Sequence, residues 1–238
     1  MQLFYEPNIS VSNSIVTLSR DESRHIVRVL RLSDGDNVYI GNGRGDIFIA
    51  IIICANPNGC ALKVLNKVSE YEEPHYRLIV GVAPTKSNER FEWFIEKATE
   101  IGITHIIPLD CSRSERHAVK PERGRRIIME AAKQSLKASI PHLEDITPLK
   151  KILSASFNGV KLIACCQTEV VRKSIWECVK PGDDVIVLIG PEGDFSPDEV
   201  TLAVGNGFIP ITLGKSRLRT ETAALAAVMF MSFINRNE

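Results

Sequence analysis

Apolar residues recur along this chain in two rhythms. Up to about Ser69 they come in short bursts separated by polar, turn-forming clusters. Leu3–Tyr5 and Ser14–Leu18 read as short strands, and Val38–Ile40, Ile47–Ala55 and Ala61–Val68 as longer ones. The turns between them carry Asp34-Gly35, Gly43-Arg44-Gly45-Asp46 and Asn56-Pro57-Asn58-Gly59, residues that tolerate positive φ. One helix, from about Asp21 to Leu30, interrupts the strands. The pattern predicts a small closed or half-open β-barrel over residues 1–70. The polar stretch Glu70-Tyr71-Glu72-Glu73-Pro74 marks a domain junction, with a second domain over 74–238.

Beyond the junction, strands and helices alternate. Leu78–Ala83 is an apolar strand, followed by a helix from Asn88 to Ile101 with Phe91, Phe94, Ile95, Ala98 and Ile101 at helical spacing and Gly102 to end it. Ile106–Leu109 is the next strand, and a helix opens at Pro121 and runs to about Ala138. Leu162–Cys166 and Val185–Ile189 are continuously apolar, as strands covered on both faces are. Ser196-Pro197-Asp198-Glu199 combines a capping serine, a first-turn proline and a glutamate three residues after the cap, so it starts a helix. Ile209–Leu213 is the last strand and Thr220 to about Asn235 the last helix. Alternation of this kind predicts an α/β domain with a mostly parallel sheet and helices on both faces.

Composition excludes some classes. Of the 238 residues 44% are hydrophobic and 24% charged, which excludes a disordered or fibrous chain. The longest apolar runs begin at Ile47 and Ala223 and fall far short of a membrane span, so no membrane partner is expected. The start MQLFYEPN carries no signal-peptide pattern, and a cytoplasmic protein with reduced thiols is expected. The six cysteines include no C-x-x-C pair, and no metal site is expected.

Ligands of open parallel sheets bind beyond the carboxyl ends of the strands. Three such ends carry unusual residues: Cys166-Gln167-Thr168-Glu169, Gly190-Pro191-Glu192-Gly193-Asp194, and Gly214 to Thr220 with Lys215, Arg217 and Arg219. The second reads equally as a plain strand-to-helix turn, and the third as a solvated basic loop before a buried helix. Gly214-Lys215-Ser216 resembles the tail of a P-loop, but Ile209 stands where that motif needs glycine, so a nucleoside triphosphatase is excluded. The dinucleotide fingerprint, G-x-S-x-G and H-E-x-x-H are absent.

Formal net charge is +0, yet residues 112–137 hold eight basic against three acidic side chains. Arg24, Arg28 and Arg31 repeat at i, i+4 and i+7, which on an α-helix places three guanidinium groups on one face. Either patch alone reads as a solvated surface; together they favour a nucleic-acid surface.

LIGPEGDFSPDEV and LGKSRLRTETAALAAV resemble the two C-terminal signature segments of the SPOUT methyltransferases, and more closely those of the bacterial family that methylates N3 of a uridine in 16S ribosomal RNA. HIVRVLRLSDGD resembles that family's PUA-like N-terminal barrel, and KSNERFEWFIEKATEIGITHIIPL, SRSER and AAKQSLKASIP its central region, so the similarity spans nearly the whole chain. Asp194 stands where the family more often has glycine, Lys133 where it has glutamate, and Lys215-Ser216-Arg217 where it often has a proline-containing loop.

The resemblance implies a PUA-like RNA-binding β-barrel followed by a SPOUT α/β domain with a deep trefoil knot. It implies S-adenosyl-L-methionine as cofactor, held by Thr168, Ile189, Gly190, Pro191, Glu192, Gly193, Leu213, Gly214, Leu218, Arg219 and Thr220. It also implies a homodimer, for which Phe91, Phe94 and the last helix offer a candidate face, and a role in ribosome biogenesis on 16S rRNA of the small ribosomal subunit. Uridine N3 carries a proton at neutral pH, so the site must remove it or stabilise the uracil anion. Arg219 is the candidate anion stabiliser, Thr220 a candidate hydrogen-bond partner of the base, and Glu221 a candidate general base. Arg24, Arg28, Arg31, Lys86, Arg113 and Arg116 are the candidate RNA contacts. A SPOUT enzyme with another RNA target, and a non-catalytic RNA-binding or ribosome-assembly protein, remain as alternatives.

Overall fold

The computed structural model describes residues 2–10, 15–68, 71 and 75–236. Most of the expected junction at 70–74, and Ser14 at the start of the second expected strand, lie outside the described residues. Two compact units result: residues 1–73 with 132–140, and residues 74–131 with 141–238.

The first unit contains β1 (Leu3–Tyr5), β2 (Ile15–Thr17), α1 (Arg20–Arg24), β3 (Asn37–Gly41), β4 (Ile47–Cys54) and β5 (Ala61–Val68). Its open five-stranded sheet runs β1-β3-β4-β5-β2, with β1 parallel to β3 and the other neighbours antiparallel. This is the half-open form of the expected barrel. Phe48, Ala50 and Ile52 alternate inward from β4 and meet Phe4, Ile26, Ile40 and Leu62 in one core.

The expected helix at 21–30 takes a different form. After α1 the chain widens into a π-helical stretch, His25–Val29, in which the Leu30 amide reaches back to His25 O. Arg31 then adopts φ 57, outside the helix. Arg24, Arg28 and Arg31 are all exposed, but they do not form the single α-helical row that their spacing predicts.

Segment 132–140 belongs with this unit because backbone bonds hold it there. Gly45 N donates to Ala138 O (3.1 Å) and Ile140 N to Gly43 O (2.9 Å). The Tyr5 hydroxyl donates to Lys137 O, and Lys133 pairs with the buried Glu22. Burial, with Tyr71 and Glu22 nearby, raises the Tyr5 pKa, so the phenol stays a donor.

The second unit contains β6 (Leu78–Val82), α2 (Asn88–Ile101), β7 (His105–Asp110), most of α3 (Pro121–Gln134), β8 (His142–Leu143), β9 (Thr147–Pro148), α4 (Leu149–Ser154), β10 (Val160–Ala164), β11 (Lys173–Ser174), β12 (Val185–Ile189), α5 (Pro197–Gly205), β13 (Ile209–Thr212) and α6 (Thr220–Ile234). The sheet is parallel throughout, ordered β11-β13-β10-β12-β6-β7-β8, with β9 beside β7. All five residues of β12 are buried, as its unbroken apolar run requires. Helix α3 stops at Gln134, short of the expected Ala138, because Leu136 turns to φ 57 and Lys137 N closes back on Ala132 O.

One sheet face is covered by α4 and α5, through Leu149, Leu153, Val200 and Ala203. On the other, α6 packs across β6 and β12 and against α2. Ala224 and Ala227 are fully buried there, their small side chains permitting the close approach. Phe91 and Phe94 are 6% and 0% exposed. They serve the chain's own core, so they do not form the exposed face expected of them.

Helix α5 starts as its residues dictate. The Ser196 hydroxyl accepts from Glu199 N, and a Glu199 carboxylate oxygen accepts from Ser196 N (2.8 Å). The other carboxylate oxygen takes Ser112 N (2.8 Å), tying the loop after β7 to this helix. Burial is the largest single influence on Glu199 and acts to raise its pKa, but the bonds from Ser112 and Ser196 together hold it below the usual glutamate value. A depressed pKa stabilises the fold above the unfolded value of about 4.3 and ceases to do so as pH falls through the folded value. Glu199→Gln leaves one acceptor for two amides. It should cost about 1–2 kcal/mol at neutral pH by urea unfolding, and the gap to wild type should close in acid.

Candidate active site

Three neighbouring strands, β13, β10 and β12, end level with one another. Ala164 is in register with Ile189 on one side and Ile211 on the other. Because the strands are parallel, their following loops (165–172, 190–196 and 213–219) leave from one edge of the sheet. Together they line a cavity of about 1060 Å³, the upper end of the usual small-molecule range.

The cavity gathers Ile189, Gly190, Pro191, Glu192, Leu213, Gly214, Leu218, Arg219 and Thr220 from the expected cofactor set. It omits Thr168, which is exposed beyond it, and Gly193, whose carbonyl accepts from Arg113 Nη1 (3.0 Å). It adds Cys165, Cys166, Gln167, Arg172, Asp194, Thr212, Lys215 and Arg217, among others. Arg172 carries no motif that would single it out; only the register of the three strands brings it in.

The loops are fastened to one another. Asp194 stands at φ 62, a left-handed conformation that glycine adopts most readily. Its carboxylate accepts from Cys166 N and Phe195 N, both at 2.9 Å. Gln167 Nε2 donates to Phe195 O (3.0 Å), and Thr220 Oγ1 to Gly190 O (3.1 Å). Gly190 has no space for a side chain, since an added Cβ would lie 3.1 Å from both the Phe195 amide nitrogen and its ring. By contrast Gly214, at φ 134, faces open space.

The three candidate catalytic residues separate. Arg219 is the N-cap residue of α6, exposed and on the cavity wall. The Thr220 hydroxyl also lines it, but its proton is committed to Gly190 O. Glu221 lies outside the lining, 7% exposed, with a carboxylate oxygen 3.7 Å from Arg90 Nε. Glu192 does reach the cavity, where one carboxylate oxygen accepts from Lys86 N (3.0 Å).

The candidate RNA contacts of this unit border the same loop. Lys86 Nζ pairs with Glu115 (3.0 Å) on the surface, and Arg113 rests on Gly193. Arg116 is half-buried. The pair is exposed and screened by solvent, so a phosphate can displace Glu115 from it.

The chain is similar to characterised proteins over nearly its whole length. The family model for the RNA methyltransferase domain matches residues 72–232, and that for the RNA methyltransferase PUA domain matches 18–65. The ribosomal RNA small subunit methyltransferase E of Synechocystis sp. is 30% identical over 92% of this chain and 73% of its own. A probable rRNA methyltransferase from Porphyromonas gingivalis superposes with a TM-score of 0.91 at 40% identity, covering 99% of this chain and 98% of that one. The ribosomal RNA small subunit methyltransferase E of Neisseria gonorrhoeae, solved with S-adenosyl methionine bound, gives 0.86 at 27% identity and the same coverage.

All six cysteines are free thiols. Burial pushes Cys111 up to about 12 and raises Cys60 and Cys165. Cys166, beside Cys165, is exposed on the cavity wall. Iodoacetamide at mildly alkaline pH should therefore label Cys54 and Cys166 first and spare Cys60, Cys111 and Cys165, as read by peptide mass spectrometry. Labelling of Cys165 ahead of Cys166 would contradict this loop arrangement.

Proposed function

The chain belongs to the ribosomal RNA small subunit methyltransferase E family, and from that premise we propose that it methylates N3 of one uridine in 16S rRNA, with S-adenosylmethionine as donor. The observation that carries the reading is the cavity at the level ends of β10, β12 and β13, with Arg219 at its rim. Its residues fit the cofactor. Ile189, Pro191, Ile211, Leu213 and Leu218 offer apolar contact for a purine. Cations and carboxylates together suit a zwitterionic amino-acid tail. Open space at Gly214 leaves backbone accessible to a ligand.

The cofactor supplies an electrophilic methyl group on a sulfonium. The protein's share of the work is position and charge. Arg219 stands where the positive end of α6 adds to its own charge, and it stabilises the uracil anion left when N3 loses its proton. Thr220 fixes the rim by holding Gly190. Glu221, tied to Arg90 outside the cavity, is a structural group. Glu192, with one oxygen engaged by Lys86 N, is the better-placed acceptor for the N3 proton. Lys86, Arg113 and Arg116 on this unit, and Arg24, Arg28 and Arg31 on the other, take RNA phosphates. The three loops are also where the family's trefoil knot would be threaded.

The protein works in the cytoplasm as a homodimer. Among the described residues no helix is long and apolar enough to cross a membrane. Helix α6 is apolar almost all round, and such a helix needs cover on every side. It carries Phe233 at 52% exposure, and its Phe230 meets edge-on Trp176, itself 51% exposed. Trp176→Asp combined with Phe233→Asp should convert a dimer to monomer in sedimentation equilibrium; a monomeric wild type would remove the dimer from the reading.

The activity test is methyl transfer from labelled S-adenosylmethionine to small ribosomal subunits from a strain lacking this protein. N3-methyluridine at one site, identified by mass spectrometry, is the expected product. Transfer to another RNA would move the target, and cofactor binding without any transfer would leave an RNA-binding protein. Arg219→Ala should lower kcat about 100- to 1000-fold. Glu192→Gln should also slow turnover, and Glu221→Gln should leave kcat near wild type.

A further inference from the structure

Four cations line the cavity: Arg172, Lys215, Arg217 and Arg219. The last three share one loop, are exposed, and among the described residues make no side-chain hydrogen bond or ion pair. Arg172 stands apart from them. It immediately precedes β11, whose Lys173 and Ser174 pair in parallel with Ile211 and Thr212, so its backbone is anchored at the sheet. Its side chain is half-buried, and Nη1 donates to Cys165 O at 3.0 Å. No carboxylate pairs with it among the described residues. A guanidinium has five donors in a rigid fork, and one contact to a carbonyl leaves most of that fork free and its charge unmatched. A partly desolvated cation without a counter-ion is unfavourable unless a ligand brings one.

We propose that Arg172 is the receptor for the carboxylate of the cofactor's amino-acid tail. This rests on the cofactor reading above. The tail holds the ligand's sole anion, whereas its sulfonium and ammonium are both cationic. Arg219 and Thr220 mark the side of the cavity next to Gly190 and β12, where the reacting methyl must meet the base. Arg172 lies towards β11 and β13, at the sheet edge, so a carboxylate bound there points the tail away from the reaction. The bond to Cys165 O holds the fork in place before the ligand arrives, and the carboxylate can accept two parallel N–H bonds from it. The exposed Lys215 and Arg217 are left for RNA phosphates, which the anchored arginine does not need to reach.

The test is calorimetric binding of S-adenosylhomocysteine, which carries the tail, and 5′-methylthioadenosine, which lacks it. Arg172→Gln should weaken S-adenosylhomocysteine about 10- to 50-fold and leave methylthioadenosine within about twofold. Arg172→Lys should fall between. Equal loss for both ligands would mean that the arginine only holds the Cys165 loop; no loss for either would also overturn the proposal. A second arm needs only the wild type: decarboxylated S-adenosylmethionine should bind more weakly than the parent by a similar factor, and equal affinity would remove the need for any carboxylate receptor. Failure of the wild type to bind any of these nucleosides would instead sink the cofactor reading itself.

Discussion

The level ending of three parallel strands is the constraint on which the site depends. Ala164, Ile189 and Ile211 share one register, so the residues that follow them must emerge side by side. Sheet spacing of about 4.8 Å between neighbours then sets the distance between loops without any contribution from the loops themselves. This explains why the strands carrying the site are so deeply buried. All of β12 is hidden, and Ile163 on β10 and Ile211 on β13 are fully buried. Burial fixes the register, and the register fixes the site.

The loops add a second level of order. Each is bonded to another loop through a group that strand geometry delivers: Asp194 to Cys166, Gln167 to Phe195, Thr220 to Gly190. The Gln167 and Thr220 bonds are half-buried and buried, and such bonds are worth more than surface ion pairs, because a broken one leaves a donor or acceptor unsatisfied. The exception is the stretch from Lys215 to Arg217, whose side chains make no hydrogen bond or ion pair among the described residues. Two walls of the cavity are therefore pre-organised and the third is left to respond to ligand and RNA. Such a division lets the rigid part hold the cofactor while the pliable part meets a larger substrate.

Much of this was legible in the residues. The boundaries of α2 and β12, and the capping box at Ser196, follow from apolar period and end signals. The GPEGD and LGKSRLRT loops stood out because glycine and charge interrupt apolar strands. Other features depended on long-range contacts that no local period encodes. Segment 132–140 reads as helix but is drawn off by backbone pairing to Gly43 and Gly45. The π-helical widening at His25 breaks an arginine row that an ideal α-helix would have aligned. Glu221 follows two cavity residues in sequence, yet one helical position further on it turns to Arg90. Strands β8, β9 and β11 are two residues each, too short to show any periodicity.

Charge placement completes the physical account. A chain with a formal net charge of +0 exerts no long-range pull on RNA as a whole, so recognition has to come from local fields. Here the cations sit on loops at the strand ends and on the segment after β7, while many carboxylates are spent internally. Glu199 caps a helix and holds Ser112, Asp194 bonds two amides, and Glu22 neutralises Lys133. Acids committed to backbone amides cannot also screen the neighbouring arginines, and this is how a neutral protein presents a positive site.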